Sequence, residues 1–163
     1  MVGHVRGCGS VWGQVEMDYD RARRRALFGR VWARLRRDRG RLLAFDEVRK
    51  ALRAANRVCL GGRTVEVSRI VGSVGRWRQF ERGFMPVEPS AEDRWKRVNL
   101  AFHRGEELPP VVLYKVGEDY FVLDGNHRVS VARFQGVEMI DAEVTEFFPD
   151  RRQAREASWV ATW

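Results

Sequence analysis

The stretch Leu123-Asp124-Gly125-Asn126-His127-Arg128-Val129-Ser130-Val131-Ala132 decides how this chain is read. An apolar strand over residues 120–123 runs into an Asp-Gly turn, and a helix closed by Gly136 follows. Strand, glycine turn and helix start together make an anion site. The first backbone N–H groups of the helix lack internal partners, and the positive end of its dipole points at the turn. His127 and Arg128 add donors matched to phosphate oxygens. Asn126 is expected to cap the helix, and Gly125, Asn126, His127 and Arg128 to cradle the phosphates of a ligand. Asp124 has two readings, a ligand or general base working with Mg²⁺ and a turn aspartate bonded to nearby backbone. His127 is a phosphate donor or proton shuttle on one reading and an exposed helix residue on the other. Arg128 either grips phosphate in two places or pairs with Asp141 or Glu143.

Working outward, residues 111–116 form an apolar strand, Gly117-Glu118-Asp119 a hairpin turn, and residues 139–147 a further strand. Ser90, with Asp93 three positions on, is expected to cap a helix that buries Trp95, Val98 and Phe102 and ends at Gly105. Residues 64–70 alternate as a strand and lead into a glycine-rich loop, Val71 to Arg76, with room for close backbone approach. Before these, residues 20–39 and 46–57 carry helical spacing and predict a helical hairpin, broken by Gly61-Gly62. Residues 1–17 read as a loose arm or a short strand. The pattern predicts an α+β fold: a basic N-terminal helical extension over 1–63, a small mixed sheet with packed helices over 64–148, and a tail over 149–163.

Charge divides the chain the same way. Residues 1–63 hold 16 Lys/Arg against 6 Asp/Glu, a net +10, while residues 64–163 hold 14 against 16, a net −2. An excess of that size on one segment favours a polyanionic partner, and Arg23, Arg24, Arg30, Arg34 and Arg37 are the expected contacts to nucleic acid. An acidic surface on another protein or on a second subunit is the alternative. No run approaches the ~20 apolar residues of a membrane span, and the first residues lack a signal-peptide core. Cys8 and Cys59 form no CxxC pair and read as reduced thiols in a cytoplasmic protein. Three histidines with no metal-ligand spacing predict no zinc site. Trp77 and Phe80 could stack on a base or pack in the core, and Trp159 and Trp163 hint at docking on a second copy. Ser130 reaches a phosphate on one reading and is surface polar on the favoured one.

The run Leu108-Pro109-Pro110-Val111-Val112-Leu113, the hairpin, Asp124-Gly125-Asn126-His127-Arg128 and the closing Gly136 resemble the ParB/sulfiredoxin superfamily over residues 64–148. Sulfiredoxins carry Gly-Cys-His-Arg at this turn, which cradles ATP phosphates. ParB proteins carry Gly-Glu-Arg-Arg in a domain that binds and hydrolyses CTP. The resemblance implies a nucleoside triphosphate, ATP or CTP with Mg²⁺, held by Gly125, His127 and Arg128. A further phosphate contact would come from Arg76, or from Arg78 in its place. Asn126 stands where sulfiredoxin has its reactive cysteine, and an amide cannot attack, so sulfinic acid reduction is excluded. ParB's glutamate is also missing there. The expected function is nucleotide binding by a DNA-associated protein, with homodimerisation as a further expectation. One alternative is a Mg²⁺-dependent hydrolase, nuclease or small-molecule kinase using Asp124 and His127, with Glu81, Glu92 or Glu118 as second carboxylate. The other is a non-catalytic interaction module.

Overall fold

A computed structural model describes residues 11–35, 42–76 and 78–149, with the backbone alone for 30–35. The elements are α1 (Val11–Leu35), β1 (Leu43–Ala44), α2 (Phe45–Ala51), β2 (Asn56–Glu66), β3 (Ile70–Ser73), α3 (Glu92–His103), β4 (Val111–Val116), β5 (Asp119–Asp124), α4 (Asn126–Gln135) and β6 (Met139–Phe148). The fold is α+β, as expected. Its sheet runs β1-β3-β5-β4-β6-β2, with β1–β3, β3–β5 and β4–β6 parallel and the other two pairs antiparallel.

Side-chain alternation gives the sheet two apolar faces. Val111, Leu113, Val122, Ala142 and Val144 point to one side and close a core with Val129 of α4 and Phe80 and Phe84 of the preceding loop. Phe121, Val116 and Phe147 point to the other, where Phe45 of α2 meets Tyr114, Phe121 and Phe147 at ring-centroid distances of 5.0, 5.6 and 5.1 Å. A third layer joins the helices. Tyr19, Ala22 and Ala26 of α1 bury against Trp95 of α3 and Val131 of α4, and Trp95 Nε1 donates to Ser130 Oγ at 2.9 Å. Ser130 is therefore fully buried, against the surface reading.

Several expectations are corrected. Helix α1 begins at Val11, because Val15, Tyr19, Ala22 and Ala26 lie on one helical face that α3 covers. The expected second helix stops at Ala51, where Leu52 caps it and Arg53 turns left-handed (φ 49°). The residues beyond it join β2, which pairs with β6 from Asn56–Phe148 to Glu66–Met139. Backbone pairing over that length outweighs the helical spacing of Ala51 and Ala55. Gly61 (φ 71°) makes a bulge inside β2 instead of a chain break. The boundary expected between residues 63 and 64 thus falls within a strand, and α1 packs on α3, so the two N-terminal helices form no hairpin. Ser90 gives no cap; its hydroxyl donates to Glu88 at 3.3 Å. Phe102 is exposed.

No described helix is long and apolar enough to cross a membrane. Cys8, Arg37, Trp77, Trp159 and Trp163, and the side chains of Arg30 and Arg34, lie outside the described residues.

Candidate phosphate-binding cleft

Strand β5 ends at Asp124, and the chain turns into α4 through Gly125 (φ 100°, ψ 23°). A Cβ there would sit 2.7 Å from Val111 Cγ1 and 3.0 Å from Arg128 Nε, so the turn needs glycine for its dihedral and for its space. Gly125 occupies the cap position, and Asn126 is the first helical residue, one place further in than expected. The first helical bond runs from Val129 N–H to Gly125 C=O at 3.0 Å, so the N–H groups of 126–128 have no partner within the helix.

These groups open on a cleft of about 250 Å³. Asp124, Gly125, Asn126, His127 and Arg128 line it with Arg76, Arg94, Val98, Leu108, Pro109 and Leu123. The expected Gly125, Asn126, His127, Arg128 and Arg76 therefore come together around one cavity. Arg78, the fallback, does not line it. Asn126 and His127 are each 5 % exposed, and Asn126 Oδ1 and His127 Nδ1 are buried without a hydrogen-bond partner. Such atoms forfeit on the order of 1–3 kcal/mol each when left unpaired. Both atoms are closed to solvent, so they lie in the wall of the cleft and not on its open surface.

The His127 ring meets the Phe80 edge at 5.3 Å, so Phe80 is a core residue that walls the histidine, fully buried and closed to base stacking. Burial first, then the charges of Arg94, Arg76 and Arg97, push the His127 pKa down to about 4. The imidazole is neutral at pH 7. The same arginines make the cavity a positive enclosure.

Arg128 has a different setting from the one expected. It donates to Asp124 Oδ2 at 2.6 Å, to the Pro110 carbonyl at 2.8 Å and to the Pro109 carbonyl. Its ion-pair partner is Asp124, not Asp141 or Glu143. Three of its five N–H groups are committed, which leaves two for a ligand. Its main service is to tie Asp124 and the 109–110 segment to α4.

Sequence reasoning missed Arg94 and Arg97, which α3 carries one turn apart beside the cleft. Neither forms an ion pair with a described residue; α3 carries two acids, Glu92 and Asp93, both in its first turn, and nothing local in the sequence marked the two arginines. The glycine loop is also tighter than expected. A Cβ on Gly72 would lie 2.3 Å from the Leu43 carbonyl, so that glycine serves packing between β1 and β3. Arg76 beyond it donates to Gln79 at 3.3 Å and takes its backbone geometry from Ser73 Oγ at 3.2 Å.

Magnesium takes octahedral oxygen ligands, commonly one or two carboxylates and substrate phosphates. Asp124 is the single acid lining the cleft, and Arg128 already holds its Oδ2. No group of three or more His, Cys, Asp or Glu stands together among the described residues. Asp124 is therefore the one carboxylate the cleft offers a Mg²⁺, and the remaining ligands would be phosphate oxygens and water. The three second carboxylates are engaged elsewhere: Glu81 accepts from the Met85 N–H, Glu92 pairs with Lys96 at 2.6 Å, and Glu118 with Arg69 at 3.0 Å.

Along α1, Arg24 is exposed and Arg23 half-buried. Arg25 donates to the Phe134 carbonyl at 3.3 Å and stacks on that ring at 4.8 Å. Arg21 turns back to Asp18 at 3.5 Å.

No protein-family model matches the chain, and no curated protein matches it. Among solved structures the chain is similar to sulfiredoxin from Arabidopsis thaliana. The TM-score is 0.38 at 12 % identity, over 59 % of this chain and 93 % of that one. The likeness brings no residue role with it.

Proposed function

We propose that the chain binds a nucleoside triphosphate, ATP or CTP, with its phosphates in the cleft at the start of α4. The observation that carries this reading is the set of N–H groups of 126–128, without partners in the helix, at a cavity that Arg76, Arg94 and Arg128 line. Arg76 and Arg94 supply charge, the N–H groups of 126–128 supply directed donors, and Arg128 keeps the turn in place. A cavity of about 250 Å³ suits a polyphosphate rather than a whole nucleotide. The nucleoside would lie outward against Val98, Leu108 and Leu123. Any Mg²⁺ enters with the phosphates.

The motif resemblance to ParB and sulfiredoxin supports a nucleotide over an inorganic anion. The positive N-terminal segment supports association with nucleic acid through Arg23, Arg24, Arg30, Arg34 and Arg37, in a cytoplasmic protein. Hydrolase, nuclease or kinase chemistry by Asp124 and His127 has less support, because one carboxylate paired with an arginine leaves little to activate a nucleophile.

Calorimetry with ATP, CTP, GTP and ADP tests the reading. A nucleotide at 100 times its Kd raises stability by about 2.7 kcal/mol. Arg94→Ala and His127→Ala are expected to abolish that gain, and Arg76→Ala to reduce it. Absence of binding by all four nucleotides sinks the proposal.

A further inference from the structure

We propose that the solvent face of α1 pairs antiparallel with the same face of a second copy of this chain. Helix α1 has two opposite sides. Val15, Asp18, Tyr19, Ala22 and Ala26 are buried against its own chain. On the other side stand Met17, Asp20, Arg24 and Leu27, spaced three, four and three, as successive a and d positions of a heptad. Met17 is 54 % exposed and Leu27 56 %, with Phe28 beside them at 68 %. Three large apolar side chains left in water on one helix call for a cover.

The order of chemistry along the stripe selects the cover. Apolar, acid, base, apolar is self-complementary when reversed. In an antiparallel pair, an a position packs against a d position. Centring the twofold at residue 22 puts Met17 on Leu27 of the partner subunit, and Asp20 on Arg24 of the partner subunit. Both contacts then occur twice, as an isologous interface requires. A parallel pair would set Asp20 against its own copy and Arg24 against its own copy, which like-charge repulsion disfavours. Neither Asp20 nor Arg24 forms an ion pair with a described residue, whereas the flanking Arg21 is held by Asp18 of its own chain at 3.5 Å. The two charges on the stripe are thus the ones left for a partner. This moves Arg24 from the proposed nucleic-acid contacts to the seam and leaves Arg23, Arg30, Arg34 and Arg37 in that role.

Two apolar and two charged layers make a seam of modest strength, with a Kd on the order of micromolar. Sedimentation equilibrium of the full chain across a concentration series reads it. The expected result is a monomer–dimer equilibrium that Leu27→Arg abolishes, with unchanged circular dichroism, since the side chain is exposed. Asp20→Arg alone and Arg24→Asp alone should each weaken the dimer about tenfold or more. The double exchange should restore it. A chain that stays monomeric at every concentration overturns the proposal, as does a dimer indifferent to Leu27→Arg and to both charge reversals. A monomer whose single-stranded DNA affinity collapses on Arg24→Ala overturns it too, and gives the face to nucleic acid.

Discussion

His127 lowers the stability of the fold in acid. Its folded pKa is about 4 against an ordinary 6.5. Between these values the unfolded chain binds a proton that the folded chain refuses, so stability declines as pH falls from about 6.5 to about 4 and the decline then stops. The shift corresponds to on the order of 3 kcal/mol. Chemical denaturation at pH 7 and pH 4.5 should show this loss shrink in His127→Gln, and an equal loss in both proteins would refute it. An anionic ligand reverses the sign of the local field, so binding near pH 5.5 should take up a proton. Calorimetry in buffers of different ionisation enthalpy measures that uptake. Gly125 supports a second prediction at this scale. Gly125→Ala must hold a left-handed φ and push Val111 and Arg128 aside, at a cost of about 2 kcal/mol or more. Gly75→Ala, with nothing within 4 Å of a Cβ and no left-handed φ, should be near neutral by the same urea measurement. The Asp-Gly-Asn-His-Arg turn was legible in sequence because strand, glycine and helix cap are local signals. Arg94 was not, because a contact from a helix some thirty residues earlier leaves no local mark. Nor was the pairing of Arg128, whose carbonyl partners at Pro109 and Pro110 arrive through the hairpin.

Helix α1 is joined to the rest of the molecule by a buried polar cluster as well as by apolar packing. Asp18, 4 % exposed, accepts from Asn99 Nδ2 at 3.1 Å and from His103 Nε2 at 2.8 Å, and Gln135 donates to Asn99 Oδ1 at 2.7 Å. One carboxylate thus links α1, α3 and α4. Asp18→Ala strands those donors in a buried site and should cost about 2–4 kcal/mol by denaturation. A loss below about 0.5 kcal/mol would mean that water replaces the carboxylate, and the cluster would then not hold the helix. Limited proteolysis should cut α1 first in that variant. Sequence reading placed β4, β5, α4 and β6 within a residue or so, because each has its own period and its own turn residues. It failed between residues 52 and 63. There Ala51 and Ala55 mimic a helix while the deciding partner, β6, lies some eighty residues away, and Gly61-Gly62 looks like an ending where it makes a bulge. The start of α1 was legible in Val15, Tyr19, Ala22 and Ala26, but the glycines and valines around them masked the stripe.

Over the whole molecule, positive charge gathers in two places, which the proposed function gives to different partners. The cleft concentrates Arg76, Arg94 and Arg128 around a small cavity, while the net +10 of residues 1–63 spreads over an extended segment. Salt distinguishes them. Each arginine that neutralises a DNA phosphate contributes about −0.9 to the slope of log affinity against log salt concentration. The structure withdraws two α1 arginines from that role, Arg21 by its pairing with Asp18 and Arg25 by its stacking on Phe134. Fluorescence anisotropy with a duplex of arbitrary sequence, repeated over a salt series, should therefore give the same slope for Arg25→Ala as for the unaltered chain. Arg23→Ala should make the slope shallower by about one unit. Nucleotide in the cleft should leave both slopes unchanged if the two surfaces act independently. A slope that Arg23→Ala does not move, or that Arg25→Ala lowers by a full unit, would mean that DNA meets a face other than α1. The segment charge would then serve protein contacts alone.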